Sequence, residues 1–315
     1  MTSRSRVLAL VAALTIVIAG CGSTPAPTPI PNKSFATSSG SGAASGGPAI
    51  LPIPITSAFR VGDNRVVFTL TDSSGQKQVA GPDRTLTIGY HGPNGATIAP
   101  AAQTFIWAIE NVNGVYVGHA TFPSAGPWTA DFSTEAPGSP RATTTFGFDV
   151  RDKVEVVSPG DAAPSVKTPT LADVGGDLAK ISSDSSPVKR FYEISEADAL
   201  AAKKPFVLIF ATPKFCVSAT CGPTLNKVKP VAAAHPEMTF INVEPYQLQF
   251  TDGQLQPVMT GTDLTPVEAT LAFKLSTEPY VFVVGGDGKV SAAFELVFSP
   301  DEIAVAIQEV EKAGS

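Results

Sequence analysis

Between Ile50 and Val150, apolar and polar positions alternate over short runs. From Lys189 onward the apolar residues gather into solid runs separated by helical stretches. Alternation has the period of two of a half-buried strand. It is read in RVVFTLTD, RTLTIGY, TFIWAIE, GVYVGHATF, WTADFS and TTTFGFDV, with Ser-Ser-Gly, Gly-Pro-Asn-Gly, Asn-Gly and Pro-Gly-Ser turns among them. Short strands in series with no helix between them predict an all-β sandwich over residues 49–152. Trp107 and Trp128 fall in these strands and are expected in its core.

The later segment, residues 189–315, predicts an α/β unit. PFVLIFAT and PYVFVVG are continuous apolar runs of strand length, the mark of central strands buried on both faces. MTFINVE and KVSAAFEL add two more, and Gly285-Gly286-Asp287-Gly288 makes a hairpin turn before the last. Ser195 with Asp198 caps a helix over EADALAAKK, and Ser299-Pro300-Asp301-Glu302 is a capping box opening a final helix. GPTLNKVKPVAAAH starts a helix with Pro223 near its first position, which Pro230 should kink or end early. Thr265 to Glu268 caps a further helix running to about Leu275. The stretch Val157–Val188 is poor in bulky apolar residues and rich in Pro, Gly and Ser, so residues 153–188 are expected to be linker.

The N-terminus bears on compartment. Arg4 and Arg6 precede a short apolar core from Val7 to Ala19, too short to span a bilayer comfortably, so residues 1–20 read as a signal peptide. Ile18-Ala19-Gly20-Cys21 resembles the bacterial lipobox, which implies cleavage before Cys21 and lipidation of its thiol. Residues 21–48 hold almost no bulky apolar side chain and read as a flexible tether. The expected location is therefore the extracytoplasmic face of a bacterial cell membrane. With Cys21 committed to lipid, only Cys216 and Cys221 remain of the 3 cysteines. In an oxidising compartment such a neighbouring pair should form a disulfide at least part of the time.

Other classes are disfavoured. A net charge of −6 without any basic run argues against a nucleic-acid partner. No zinc spacing, phosphate loop or serine elbow is present, so no cofactor and no metal is expected. His91 and His119 lie in the β segment. His235 follows the helix after the cysteines and is expected to interact with that helix's terminal carbonyls.

Two resemblances add to this. GVYVGHATFPSAGPWTADF is similar to the end of small Ig-like domains of the YtkA/FixH type, which implies an Ig-like sandwich. ALAAKKPFVLIFATPKFC, CGPTL and STEPYVFVVGGDGKV stand in the order of the thioredoxin superfamily, from Phe191 to about Lys312. The whole layout is similar to bacterial thioredoxin-domain lipoproteins. That resemblance implies a thiol–disulfide oxidoreductase acting on the thiols and disulfides of exported proteins, with a redox partner at the membrane. Cys221, at the strand-to-helix tip, takes the place of the attacking thiolate, and Cys216 becomes its resolving partner in a C-x4-C spacing. Thr224 stands where a thioredoxin has its second cysteine. Pro279 matches the cis-proline of that fold, and Glu278 precedes it on the substrate loop. A carboxylate there would raise the thiol pKa, opposing the helix dipole. Two other readings stay open: a non-catalytic binding module stapled by a Cys216–Cys221 disulfide, and a copper carrier of Sco type, for which no histidine follows His235.

Overall fold

The computed structural model describes residues 49–313. The leader, Cys21 and the tether lie outside the described residues.

The first half folds as two sheets. One has the order β1-β3-β7-β6, from β1 (Ile50–Pro54), β3 (Gly62–Asp72), β7 (Asn113–Phe122) and β6 (Thr104–Ile109). The other has the order β2-β9-β8-β4-β5, from β2 (Phe59–Arg60), β9 (Ser139–Arg151), β8 (Gly126–Ala136), β4 (Thr85–His91) and β5 (Thr97–Ala102). Alternation decides which side chains meet between them: Trp128, Ala130 and Phe132 of β8 face Phe68 and Leu70 of β3, and Phe122 of β7, in one core. Trp128 is buried, as its place in the pattern predicts; Trp107 is only half-buried, edge-on to Phe105. The sequence did not mark β1, β2 or β5, which are short, Pro-containing or largely exposed edge strands.

The second half is built on a sheet of order β11-β10-β16-β17, with β10 (Phe206–Phe210), β11 (Thr239–Val243), β16 (Tyr280–Val284) and β17 (Val290–Glu295). β10 runs parallel to β11 and antiparallel to β16. Both faces are covered, which is why β10 and β16 are apolar throughout. Val207, Ile209, Val281 and Val283 pack on α2 (Cys221–Ala234) and α4 (Pro300–Ala313). Phe206, Leu208, Phe210 and Phe282 pack on α1 (Glu196–Ala201) and α3 (Glu268–Ala272). Ser195 caps α1 by accepting the Asp198 amide at 3.2 Å, and Ser299 and Glu302 form the capping box of α4.

Four expectations change. Helix α2 begins at Cys221 rather than at Pro223, and it runs through Pro230 to Ala234. Packing of Val228, Val231 and Ala232 on the sheet outweighs the hydrogen bond that a proline cannot make. Thr265 does not cap α3: Val267 is the cap residue, and the Thr265 hydroxyl pairs with Thr260 at 2.7 Å. The carbonyls ending α2 are bonded by Arg190, whose Nη2 donates to Ala232 and His235, while the His235 ring faces Glu311. Residues 153–188 are not a loose linker, since Ala163, Val166, Leu171 and Ile181 are buried in the α/β core.

Two small hairpins went unread between β11 and α3: β12 (Leu248–Thr251) with β13 (Gln254–Pro257), and β14 (Met259–Thr260) with β15 (Asp263–Leu264). The Asp252-Gly253 turn of the first, with φ of 53° and 78°, is a hairpin signal present in the sequence.

The halves share an interface. The outer face of the first sheet buries Val67, Val115 and Val117 against Val297, beyond β17. Arg65 meets Glu302 at 2.7 Å, and Lys227 of α2 donates to the Trp107 and Phe298 carbonyls. No helix among the described residues is long and apolar enough to cross a membrane.

Candidate functional site

The chain leaves β10 through buried Ala211 and Thr212, turns at Thr212–Phe215, and reaches Cys216. Five residues later it enters α2 at Cys221. The two cysteines form a disulfide with their α-carbons 6.0 Å apart, inside the usual range of about 4.4–6.8 Å.

The two sulfurs are not equivalent. Cys221 is completely buried among Leu225, Val228 and the sheet. Cys216 is half-buried, and its Sγ accepts the Cys221 amide at 3.2 Å, the first residue of α2. Its Sγ also lies 3.3 Å from the Ser218 hydroxyl. The backbone donor at the helix tip therefore points at the sulfur of Cys216, not at that of Cys221. Between them Val217 is 77% exposed, and Ala219 takes a left-handed φ of 63° that closes the loop.

The segment before β16 lies against this loop. The Glu278–Pro279 bond is cis, as the resemblance implies. Glu278 is buried, and its carboxylate accepts the Val217 amide at 2.8 Å and the Tyr246 hydroxyl at 2.5 Å. Its backbone carbonyl accepts from the Ser218 hydroxyl at 2.7 Å. Burial and the Glu278 acceptor push the Tyr246 hydroxyl pKa well up, so Tyr246 stays a donor. The Cys216 and Cys221 sulfurs and a Glu278 oxygen all lie within 4.8 Å of one another. Thr224, one turn into α2, is buried behind Cys221.

Sequence reasoning found the cysteines, Glu278 and Pro279, and the structure brings all four together. It missed Tyr246 and Ser218, which carry no motif. It also missed a cavity of about 410 Å³ lined by Tyr246 together with Ile181, Asn242, Glu244 and Leu255. Burial pushes the Glu244 carboxyl up to about 7, against hydrogen bonds from Thr212 and Ser183. Ser183 in turn accepts the Lys214 amide at 3.3 Å, tying this carboxyl to the turn before Cys216. The histidines stand apart: His91 pairs with Asp131 at 2.8 Å, His119 is exposed on β7, and His235 lies at the other end of α2.

No family model matches the chain. No curated protein matches it either. Among solved structures, a DUF4426 family protein from Pseudomonas aeruginosa PAO1 overlaps 30% of this chain and 68% of its own, at 14% identity and a TM-score of 0.23. A likeness at that level carries no argument about fold or function.

Proposed function

We propose that the chain is a lipid-anchored, extracytoplasmic thiol–disulfide oxidoreductase with an Ig-like sandwich and a thioredoxin-like domain. The observation that carries the reading is the asymmetric disulfide at the β10–α2 turn, one sulfur accessible and one buried, beside the cis-proline loop. The strand order, the helix after β10 and the cis bond before β16 support the thioredoxin-like assignment. Anchoring through Cys21 rests on the lipobox resemblance alone.

The unequal burial of the two sulfurs and the amide donor at Cys216 favour the reverse of the roles that the resemblance implies. Cys216 is the sulfur that meets substrate, and Cys221 is the resolving thiol. A substrate thiolate attacks Cys216 Sγ, the Cys216–Cys221 bond breaks, and Cys221 leaves with the electron pair and takes up a proton. The substrate's second thiolate then attacks its own sulfur in the mixed disulfide, releasing Cys216 as a thiolate and the substrate as a disulfide. Reduction of a substrate runs through the same steps in reverse. The Cys221 amide is placed to stabilise the Cys216 thiolate. Exported proteins supply the substrate, and a redox protein at the membrane resets the pair.

The test uses the reduced full chain with a disulfide-bonded protein substrate. Wild type should reduce it, Cys216→Ser should be inert, and Cys221→Ser should accumulate a mixed disulfide through Cys216. Equal inertness of wild type and Cys216→Ser would leave the second reading, a binding module with a structural staple. The bonds from Val217 and Ser218 to Glu278 favour that reading, because they hold the loop closed.

A further inference from the structure

Reduction of the pair would place two thiols and a buried carboxylate around one point. A copper carrier of the type considered from the sequence needs a third ligand from a later segment, and the histidines are all elsewhere. The later segment does supply a ligand atom, on Glu278: one of its oxygens and both sulfurs lie within 4.8 Å of one another. Glu278 is buried and held from two sides, by the Val217 amide and the Tyr246 hydroxyl, so its carboxylate is already aimed at the loop. Such supporting hydrogen bonds orient ligands and raise metal affinity.

We propose that the reduced protein binds a borderline divalent cation, of which zinc is the type, through Cys216 Sγ, Cys221 Sγ and Glu278. The donor set decides the cation. Two thiolates and one carboxylate suit Zn(II), which accepts sulfur and oxygen in a four-coordinate shell and leaves one position for water. Cu(I) needs only soft sulfur donors and gains little from the carboxylate. The site is gated by oxidation state. An external dithiol delivers two electrons and two protons to the disulfide and becomes a disulfide itself. Zinc binding then displaces both thiol protons. In the oxidised protein the sulfurs are bonded to each other and cannot ligate as thiolates. Zinc occupancy also holds both thiols, so the loaded form does not exchange disulfides.

This inference rests on the pair being reducible, as the proposed activity does, but the two fail separately. The experiment takes the full chain, reduced by a phosphine and then freed of it without oxygen. Zn(II) is titrated against a chromophoric chelator, and Co(II) serves as a spectroscopic probe. The expected result is one Zn(II) per reduced chain, sulfur-to-cobalt charge-transfer bands, and no binding to the oxidised chain. Glu278→Gln should weaken zinc by at least about tenfold, and either cysteine changed to serine by more. X-ray absorption of the zinc form guards against a misfolded Glu278→Gln: it should show two sulfur and two oxygen scatterers. Absence of stoichiometric binding, an all-sulfur shell, or a folded Glu278→Gln with undiminished affinity would each overturn the proposal. A metal-free chain that exchanges disulfides but takes no zinc loses this site alone.

Discussion

The Cys221 amide donates to the Cys216 sulfur across 3.2 Å, so the first residue of α2 is both disulfide partner and hydrogen-bond donor to the other half of the bond. A reduced pair in this geometry has one half-buried thiol with a backbone donor beside it and one sealed in the core. On partial alkylation of the reduced chain, Cys216 should be modified at least about tenfold faster than Cys221. Peptide mass spectrometry reads this directly, and equal labelling would return the attacking role to Cys221.

Ser218 ties the disulfide loop to the segment before β16 through a 2.7 Å bond to the Glu278 carbonyl. One such bond contributes about 1 kcal/mol. If the loop must lift before a thiol reaches Cys216, Ser218→Ala should speed reduction of the disulfide by a small dithiol about fivefold. An unchanged rate would mean that the closed loop already admits the attacking thiol.

Much of this was readable in the chain. The central strands of both halves followed from alternation and from solid apolar runs, and the caps at Ser195 and Ser299 from local chemistry. Apart from the short edge strands and hairpins, what escaped depends on residues distant in sequence. Glu278 was legible as the neighbour of Pro279, but its grip on Val217 and Tyr246 is made only by folding. The unequal burial of the two cysteines was not legible either, because that of Cys221 depends on how α2 lies on the sheet. The segment 153–188 looked like linker because its few apolar residues are scattered, and nothing local shows that Leu171 and Ile181 share a cluster with α2 and α4.

Glu196 is completely buried, and burial pushes its carboxyl up to about 7 against a hydrogen bond from the Val166 amide. An acid with a raised folded pKa binds more protons in the native state, so its penalty is absent below about 4.5 and complete above about 7. Stability should therefore fall as pH rises between those values, by at most about 3 kcal/mol from this group. Glu196→Gln should flatten that slope in urea unfolding across the range. A variant that keeps the wild-type slope would assign it to another carboxyl, Glu244 first.

Arg65 of β3 and Glu302 of α4 join the halves through two bonds, at 2.7 and 3.0 Å. Burial alone would raise the Glu302 carboxyl, but the Arg65 bonds and the Ser299 cap outweigh it and hold the pKa below its ordinary value. That stabilisation is present above the unfolded value near 4.5 and is lost as pH falls through the lower folded one. Arg65→Ala should cost about 1.5–3 kcal/mol at neutral pH. It should cost much less in strong acid, where Glu302 is protonated in both chains. A pH-independent loss would mean that Arg65 acts through its packing on the Phe294 ring.

The status of residues 153–188 can be decided by energy. Leu171 and Ile181 are buried with the apolar faces of α2 and α4, and truncating such a side chain opens a cavity that costs about 2–4 kcal/mol. A true linker residue would cost within about 0.5 kcal/mol. The segment also serves α1: the Val166 amide donates to Glu196, and the Thr168 hydroxyl accepts the Glu196 amide at 2.9 Å. A chain beginning at Lys189 would lose both apolar side chains and both hydrogen bonds to Glu196. Leu171→Ala should lower the urea midpoint by the cavity amount, and the chain beginning at Lys189 should fail to show a cooperative transition. A shortened chain as stable as the full one would restore the linker reading and place the domain boundary at 188.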